Sequence, residues 1–252
     1  MKNEPNGSLF HKMAIQKDLY KRVLEMFSTV NDDTRQWRIM QAIFEYMVFR
    51  FDAEQKGLVI RYAKVGYDHE DGIHSLYEAS MYGTSPWPLT SQNLVYWGRT
   101  HLAGWAVELR RMQRWDVRDN NPHWPVDIDE YEQSSCAYPL LQGDNLAGVV
   151  MISSVQPGFF SDPFIWEAVH ECGLLLTLAF DARDFYPCSH LNLTLMPDLR
   201  WQRIEMQRAY VKRLLACVNQ TGLPHRHAEM IVRREMELEF ENYVRRNLAQ
   251  RG

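Results

Sequence analysis

Two β-rich segments joined by a link too short to cross over constrain this chain more than anything else in it. Ser135 to Leu141 reads as a strand. Gln142-Gly143-Asp144-Asn145 follows, and then Leu146-Ala147-Gly148-Val149-Val150-Met151-Ile152-Ser153-Ser154-Val155, the most strand-like run in the protein. Parallel neighbours need a crossover of roughly a dozen residues or more, so this four-residue link makes the pair an antiparallel hairpin. Pro157-Gly158 ends the second strand. Upstream, residues 57–65 place Leu58, Val59, Ile60, Tyr62 and Val65 in a β-branched and aromatic pattern. A turn at 68–72 and a second strand over 73–82 make another hairpin. The sheet is therefore expected to be antiparallel.

Helical spacing surrounds these hairpins. His11 to Val30 puts Ile15, Leu19, Val23, Met26, Phe27 and Val30 on one stripe. Asn31-Asp32-Asp33-Thr34 breaks it. A second helix over 33–51 carries Trp37, Met40, Ile43, Phe44, Met47, Val48 and Phe51, a face wide enough to cover a sheet. Residues 91–109 also read as helical through Leu94, Val95, Trp97, Leu102, Trp105, Ala106 and Leu109. Ser161-Asp162-Pro163 offers a cap and a proline at the first helical position for a helix to about residue 183. Residues 184–198 read as loop. Helices over 199–219 and 225–248 follow, separated by Thr221-Gly222-Leu223-Pro224. The class is α+β.

Composition narrows the function classes. The 252 residues are 46% hydrophobic and 24% charged, as in a packed protein. Net charge is −4, which argues against a nucleic-acid-binding polyelectrolyte, although the stretch from Leu199 onward carries eleven Lys+Arg against six Asp+Glu. The four cysteines, Cys136, Cys172, Cys188 and Cys217, form no CxxC pair. The first residues lack an apolar signal-like core, so the thiols are expected to be reduced and the chain cytoplasmic. The longest apolar run, Leu174 to Phe180, falls far short of the ~20 residues that span a bilayer.

A family resemblance rests on the order of several pieces. Leu102-Ala103-Gly104-Trp105-Ala106 is followed by Trp115-Asp116-Val117. Ala137-Tyr138-Pro139-Leu140 comes next, then Leu146-Ala147-Gly148-Val149-Val150-Met151-Ile152. Phe159-Phe160 and a helix from Asp162 to Phe180 complete the series. In this order they resemble the second half of a GAF domain, and residues 34–83 fit the opening helix and hairpin by position. The resemblance implies a central antiparallel sheet with helices on one face and a lid region on the other. It divides the chain into a disordered lead (1–9), an N-terminal flanking helix (10–33), a GAF-like domain (34–183) and a C-terminal helical extension (184–252).

GAF domains are sensor modules, so the resemblance implies a small molecule held between sheet and lid. The lid falls within residues 84–134, which hold Trp87, Trp97, Trp105, Trp115 and Trp124. Aromatic rings on irregular backbone suit a stacked planar ligand, or fill the pocket themselves. The candidate ligand-binding residues are Trp97, His101, Trp105, Trp115, Asp116, His123, Trp124, Tyr138 and Met151. The ligand, and with it any cofactor, stays unknown. The Asn-Lys-Phe-Asp-Glu motif of cyclic-nucleotide-binding GAF domains is absent. Cys136 is followed by Ala-Tyr-Pro, unlike a bilin attachment site. GAF-type free methionine sulfoxide reductases use several cysteines around the pocket. Here Cys136 is expected near the pocket and Cys172 on a neighbouring helix, both better read as buried thiols. Cys188, His190, Cys217, His225 and His227 match no metal-ligand spacing, so no metal is expected.

The flanking helices carry the expected output. Trp201, Ile204, Val211, Leu215 and Val218 form one stripe; Ile231, Val232, Met236, Phe240, Tyr243, Val244 and Leu248 form another. The domain, the first helix or a second copy must cover each, and a homodimer through these helices is expected. A helix-turn-helix reader of DNA using Arg226, Arg233 and Arg234 is the alternative, opposed by Glu229, Glu235, Glu237, Glu239 and Glu241 on the same helix. The leading expectation is a non-enzymatic sensory module with a possible protein partner. A plugged scaffold, a transcriptional regulator and a thiol-dependent reductase are the alternatives.

Overall fold

The computed structural model describes residues 16–68, 72–87, 95–119 and 127–249. In chain order the helices are α1 (Lys17–Thr29), α2 (Asp32–Phe51), α3 (Leu102–Glu108), α4 (Pro163–Thr177), α5 (Leu199–Thr221) and α6 (His225–Ala249). The strands are β1 (Leu58–Asp68), β2 (Gly72–Gly83), β3 (Tyr96–Trp97), β4 (Gln113–Asp116), β5 (Ser134–Gln142), β6 (Asn145–Ser154) and β7 (Tyr186–Pro187). They form one antiparallel sheet in the order β3-β2-β1-β6-β5-β4, with β7 on the β6 hairpin end. Both hairpins form as expected, and they meet at the sheet centre through β1 and β6, where Ile60 pairs Ile152 and Tyr62 pairs Val150.

Strand alternation sorts the side chains onto two faces. On one face Leu58, Ile60 and Tyr62 of β1, Val150 and Ile152 of β6, and Cys136, Tyr138 and Leu140 of β5 pack under α2 and α4. Ile39, Ile43, Phe44 and Met47 meet them from α2, and Val169, Cys172 and Leu176 from α4. Helix α1 closes this layer with Leu19 and Val23. The other face carries Ala63, Val65, Leu76, Trp97, Ala137, Val149 and Met151, covered by α3 and by Leu193 and Leu199. Gly148 sits where a Cβ would meet the Ala63 carbonyl oxygen at 2.3 Å and the Tyr62 ring at 2.6 Å. It therefore lets the neighbouring strand and a ring close up. A Cβ on Gly104 would likewise meet the Gly98 carbonyl oxygen at 2.2 Å. Pairing of β4 with β5 stops at Ala137, two residues short of Pro139, which has no N–H to offer further along that edge.

Three local expectations are corrected, and one strand, β4, had no counterpart among them. Residues 91–109 are not one helix: Val95-Tyr96-Trp97 joins β2, and the helix is the short α3. The apolar spacing there comes from residues buried by two different elements, which imitates helical periodicity. Strand β4 lies in a stretch with no strand pattern, held by its edge pairing with β5. The helix from Pro163 ends at Thr177 and not near residue 183. Residues 184–198 are not all loop, since Tyr186–Pro187 pairs with β6. Residues 1–15, 88–94 and 120–126, which include part of the expected lid, lie outside the described residues.

Helices α5 and α6 form a hairpin. Asp198 caps α5 by accepting from the Trp201 N–H at 2.8 Å, and Gly222 ends it in the left-handed region at φ 65° before Leu223-Pro224. Val232, Met236 and Phe240 of α6 and Met206 of α5 pack on Tyr96 of β3. The buried face of α5 is Leu199, Gln202, Met206 and Leu214. This differs from the expected stripe: Ile204, Val211 and Leu215 stay exposed within one chain. The reason is Gln202, whose buried amide binds the β3 backbone and so sets the rotation of the helix. Its Oε1 accepts from the Tyr96 N–H at 2.7 Å, and its Nε2 donates to the Tyr96 and Pro197 carbonyls at 2.9 and 2.7 Å.

Candidate functional site

Arg61 is the residue around which a site is built. It stands in the middle of β1 on the face opposite α2 and α4, and it is 5% exposed. The register places it on one face with Glu78 of β2, Met151 and Ser153 of β6, and Ser135 of β5. A buried guanidinium must find partners, because an unpaired buried charge costs several kcal/mol. Its Nη2 donates to Asp129 Oδ2 at 2.6 Å, and its Nε lies 3.7 Å from Glu78 Oε2.

Asp129 belongs to the segment 127–133, a strap between the undescribed residues and β5. Its carboxylate also accepts from Arg203 of α5, Nη1 to Oδ1 at 3.0 Å and Nη2 to Oδ2 at 2.7 Å. One carboxylate thus joins the sheet centre to the C-terminal helices. The strap is fastened to α5 a second time, where Asp127 Oδ1 accepts from the Leu199 N–H at 3.0 Å. Within the strap, Glu132 accepts from the Asp129 N–H at 3.3 Å and faces Ser135.

The electrostatics follow from burial. Burial pushes the Asp129 carboxyl up, but the Arg203 hydrogen bonds and the charges of Arg61 and Arg203 outweigh it and hold the group at about 2. Glu132, with less help from Ser135 and Arg61, is pushed up to about 7. Burial also raises Asp127 to about 7. His101 is pushed down to about 3 by burial and by the Arg61 charge, so it is neutral. Its Nδ1 accepts from the Ala103 N–H at 3.2 Å, which leaves the proton on Nε2. Several buried polar atoms around this cluster have no hydrogen-bond partner among the described residues: Arg61 Nε, Trp87 Nε1, Trp97 Nε1 and Ser153 Oγ. Native interiors seldom tolerate such groups, so their concentration here marks a site.

The candidate residues distribute unevenly around the cluster. Trp97 stacks on His101 at 4.8 Å on its flank, and Met151 pairs Arg61 in register. Trp115 is buried on the same sheet face, on β4. Trp105 lies on α3. Asp116 points elsewhere: it accepts from the Arg118 N–H at 3.0 Å and from the Gly158 N–H, tying β4 to the turn after β6. Tyr138 faces the helical layer, against His170 and Gly173 of α4. His123 and Trp124 lie outside the described residues. Cys136, expected near the pocket, also faces the helical layer, because it is one residue out of phase with Ser135 and Ala137. Burial raises its thiol and that of Cys172 well above the ordinary value.

A separate open groove of about 1100 Å³ lies on the helical side, between α2, the β1–β2 hairpin and α6. Trp37 and Met230, each 65% exposed, stand on its rim. Among the described residues no group of three His, Cys, Asp or Glu could hold a metal ion, and no helix is long and apolar enough to cross a membrane.

No protein-family model matches the sequence, and no curated protein matches it. Solved structures do. The GAF domain of an Acinetobacter phosphoenolpyruvate-protein phosphotransferase is 12% identical, with a TM-score of 0.46 over 69% of this chain and 93% of that one. The fold is GAF-like. The A. aeolicus nlh2 GAF domain, described in an inactive state, is 13% identical with a TM-score of 0.44, over 69% of this chain and 99% of that one. A type II free methionine-R-sulfoxide reductase from Thermoplasma acidophilum is 16% identical with a TM-score of 0.42, over 59% and 94%. This last likeness corrects one expectation. Structures similar to this chain include enzymes as well as GAF domains, so the GAF-like fold does not support reading the chain as non-enzymatic. Likenesses of this degree speak to fold alone.

Proposed function

We propose that this chain is a small-molecule sensory module whose ligand site is the polar cluster on the Arg61 face, read out by α5 and α6. One observation carries the reading. The Asp129 carboxylate holds Arg61 of the sheet and Arg203 of α5 together, so whatever rearranges the strap also acts on α5. A ligand shifts such an equilibrium only through contacts that differ between the two states. The strap supplies that difference, because its acidic side chains are shared between the site and the helix. The exposed row Ile204, Val211 and Leu215 on α5 supports an output by association with a second copy or another protein.

The test is amide hydrogen exchange of Arg203→Ala against the unaltered chain. Exchange should rise together in the strap (127–133) and the first turns of α5 (199–206), by more than the uniform rise that global destabilisation gives α2 and α4. A rise in one segment without the other would show that they are not coupled. Native mass spectrometry of the purified chain supplies the association state and the mass of any retained ligand in the same spectrum.

A further inference from the structure

The groups at the floor of this site with no hydrogen-bond partner among the described residues share one property. Arg61 Nε, Trp87 Nε1 and Ser153 Oγ all offer a hydrogen, and each belongs to a residue at least nine-tenths buried. The Arg61 guanidinium lies 6.0 Å from the Trp87 ring centroid, and Ser153 sits beside Ser135 in register on the adjoining strands. A floor of donors calls for an acceptor. The acceptor nearest the guanidinium is a carboxylate that reaches the floor from the strap, Asp129 at 2.6 Å, whereas Glu78 on the floor itself stands off at 3.7 Å. Arg203, the second cation on that carboxylate, has a side chain 25% exposed, so one end of the bridge borders solvent while Asp129 and Arg61 are buried beneath it.

Resting on the sensory reading above, we propose that the two arginines form a carboxylate site of which Asp129 is the built-in occupant. A small molecule with one carboxylate takes the Asp129 position on Arg61 and Arg203, and its remaining acceptor valence meets the Arg61 Nε–H, which Glu78 approaches only to 3.7 Å. One carboxylate replaces another, so the charge of the buried cluster is unchanged. A dianion such as phosphate is disfavoured, because Glu78 stands 3.7 Å from the same guanidinium and Glu132 lies beside Ser135. An ammonium ion is disfavoured by the two arginine charges, which outnumber the Glu78 carboxylate once the Asp129 position is vacated. Exchange removes the strap's hold on Arg203, which is how occupancy reaches α5.

The test removes the built-in competitor. Asp129→Ala in the full chain is melted in sodium acetate, sodium propionate, sodium phosphate and methylammonium chloride, each matched in ionic strength by sodium chloride. The carboxylates should raise the melting temperature of Asp129→Ala above the chloride control and bind it at least about tenfold more tightly than the unaltered chain, since only the variant has a free site. Phosphate and methylammonium should match the control. Adding Arg61→Met should abolish the carboxylate effect. Equal carboxylate binding by both chains, an equal effect of phosphate or methylammonium, or persistence of the effect in Asp129→Ala/Arg61→Met would each overturn the proposal. If Asp129→Ala does not fold in chloride, refolding yield replaces the melt: recovery in acetate supports the proposal and its failure overturns it. The two readings fail separately. Carboxylate binding without altered exchange over 199–206 removes the sensory reading and leaves the site. Joint loosening in Arg203→Ala without carboxylate binding does the reverse.

Discussion

Arg61 and Arg203 never touch in sequence or on one element, yet both donate to Oδ2 of Asp129, at 2.6 and 2.7 Å. The first comes from the central strand of the sheet and the second from the helix that begins at Leu199. Removing either cation leaves the buried carboxylate short of a partner. Arg203→Ala should therefore destabilise the chain by about 3 kcal/mol, at the lower end of the range for breaking a buried pair because the side chain is partly exposed. Denaturant unfolding monitored by tryptophan fluorescence measures it.

The strap acids give stability a characteristic pH dependence. Glu132 and Asp127 each have a folded value of about 7, above their ordinary values of 4.5 and 3.8. A raised value means that the folded state holds protons the unfolded chain releases. Their contribution is then complete below pH ~4 and is lost as pH rises through 7. Asp129 works in the opposite sense. Held at about 2, it contributes above its ordinary 3.8, and this is lost as pH falls toward 2. The melting temperature should fall between pH 5 and 8, and Glu132→Gln should flatten that fall. Melts across this range decide it; an unchanged slope in Glu132→Gln would rule out Glu132 as the source.

Gln202, with no exposed surface, is the anchor of the C-terminal helices on β3. Its amide satisfies both backbone groups of Tyr96 and the Pro197 carbonyl, so truncation takes a partner from three buried polar groups. Gln202→Ala should cost at least about 3 kcal/mol, three such penalties at the low end of their range. Exchange should rise at Tyr96 and in α6 before it rises in β5. Denaturant unfolding combined with hydrogen exchange separates this from a general loss of stability.

The cysteines should differ sharply in reactivity. Cys136, Cys172 and Cys188 are buried, and burial raises each thiol, whereas Cys217 is partly exposed. Thiolate character and access govern alkylation, so a maleimide should label the native chain at Cys217 first. Peptide mapping after brief labelling tests this. Early labelling of Cys136 would contradict its placement in the core beneath α2 and α4.

The two hairpins were legible because their information is local. Short links force antiparallel pairing, and runs such as Val149-Val150-Met151-Ile152 admit little but a strand. The helices flanking them were legible for the same reason. Val95-Tyr96-Trp97 was not: a three-residue piece is too short to show a period, and its identity depends on β2 lying alongside. The polar cluster was hidden more deeply. Arg61, Glu78, Asp129, Glu132 and Arg203 are spread over more than half the chain, and each has the look of a surface charge by itself. One local sign was there: Arg61 interrupts Leu58-Val59-Ile60 and Tyr62-Ala63, where a strand with both faces buried would have no charge. The tryptophans of the expected lid drew notice instead. Of these, Trp87 and Trp97 do stand at the cluster's edge, each with its ring N–H unpartnered among the described residues.

The linkage of sheet to helix through the strap is tested most directly by a double-mutant cycle on Arg61→Met and Arg203→Met, with folding free energy as the readout. The residues meet on one carboxylate, Asp129, so their effects should be coupled by at least about 1 kcal/mol, because the second substitution acts on an already broken bridge. Additivity within about 0.3–0.5 kcal/mol would mean that Asp129 does not join them, and the strap could then carry nothing from the site to α5.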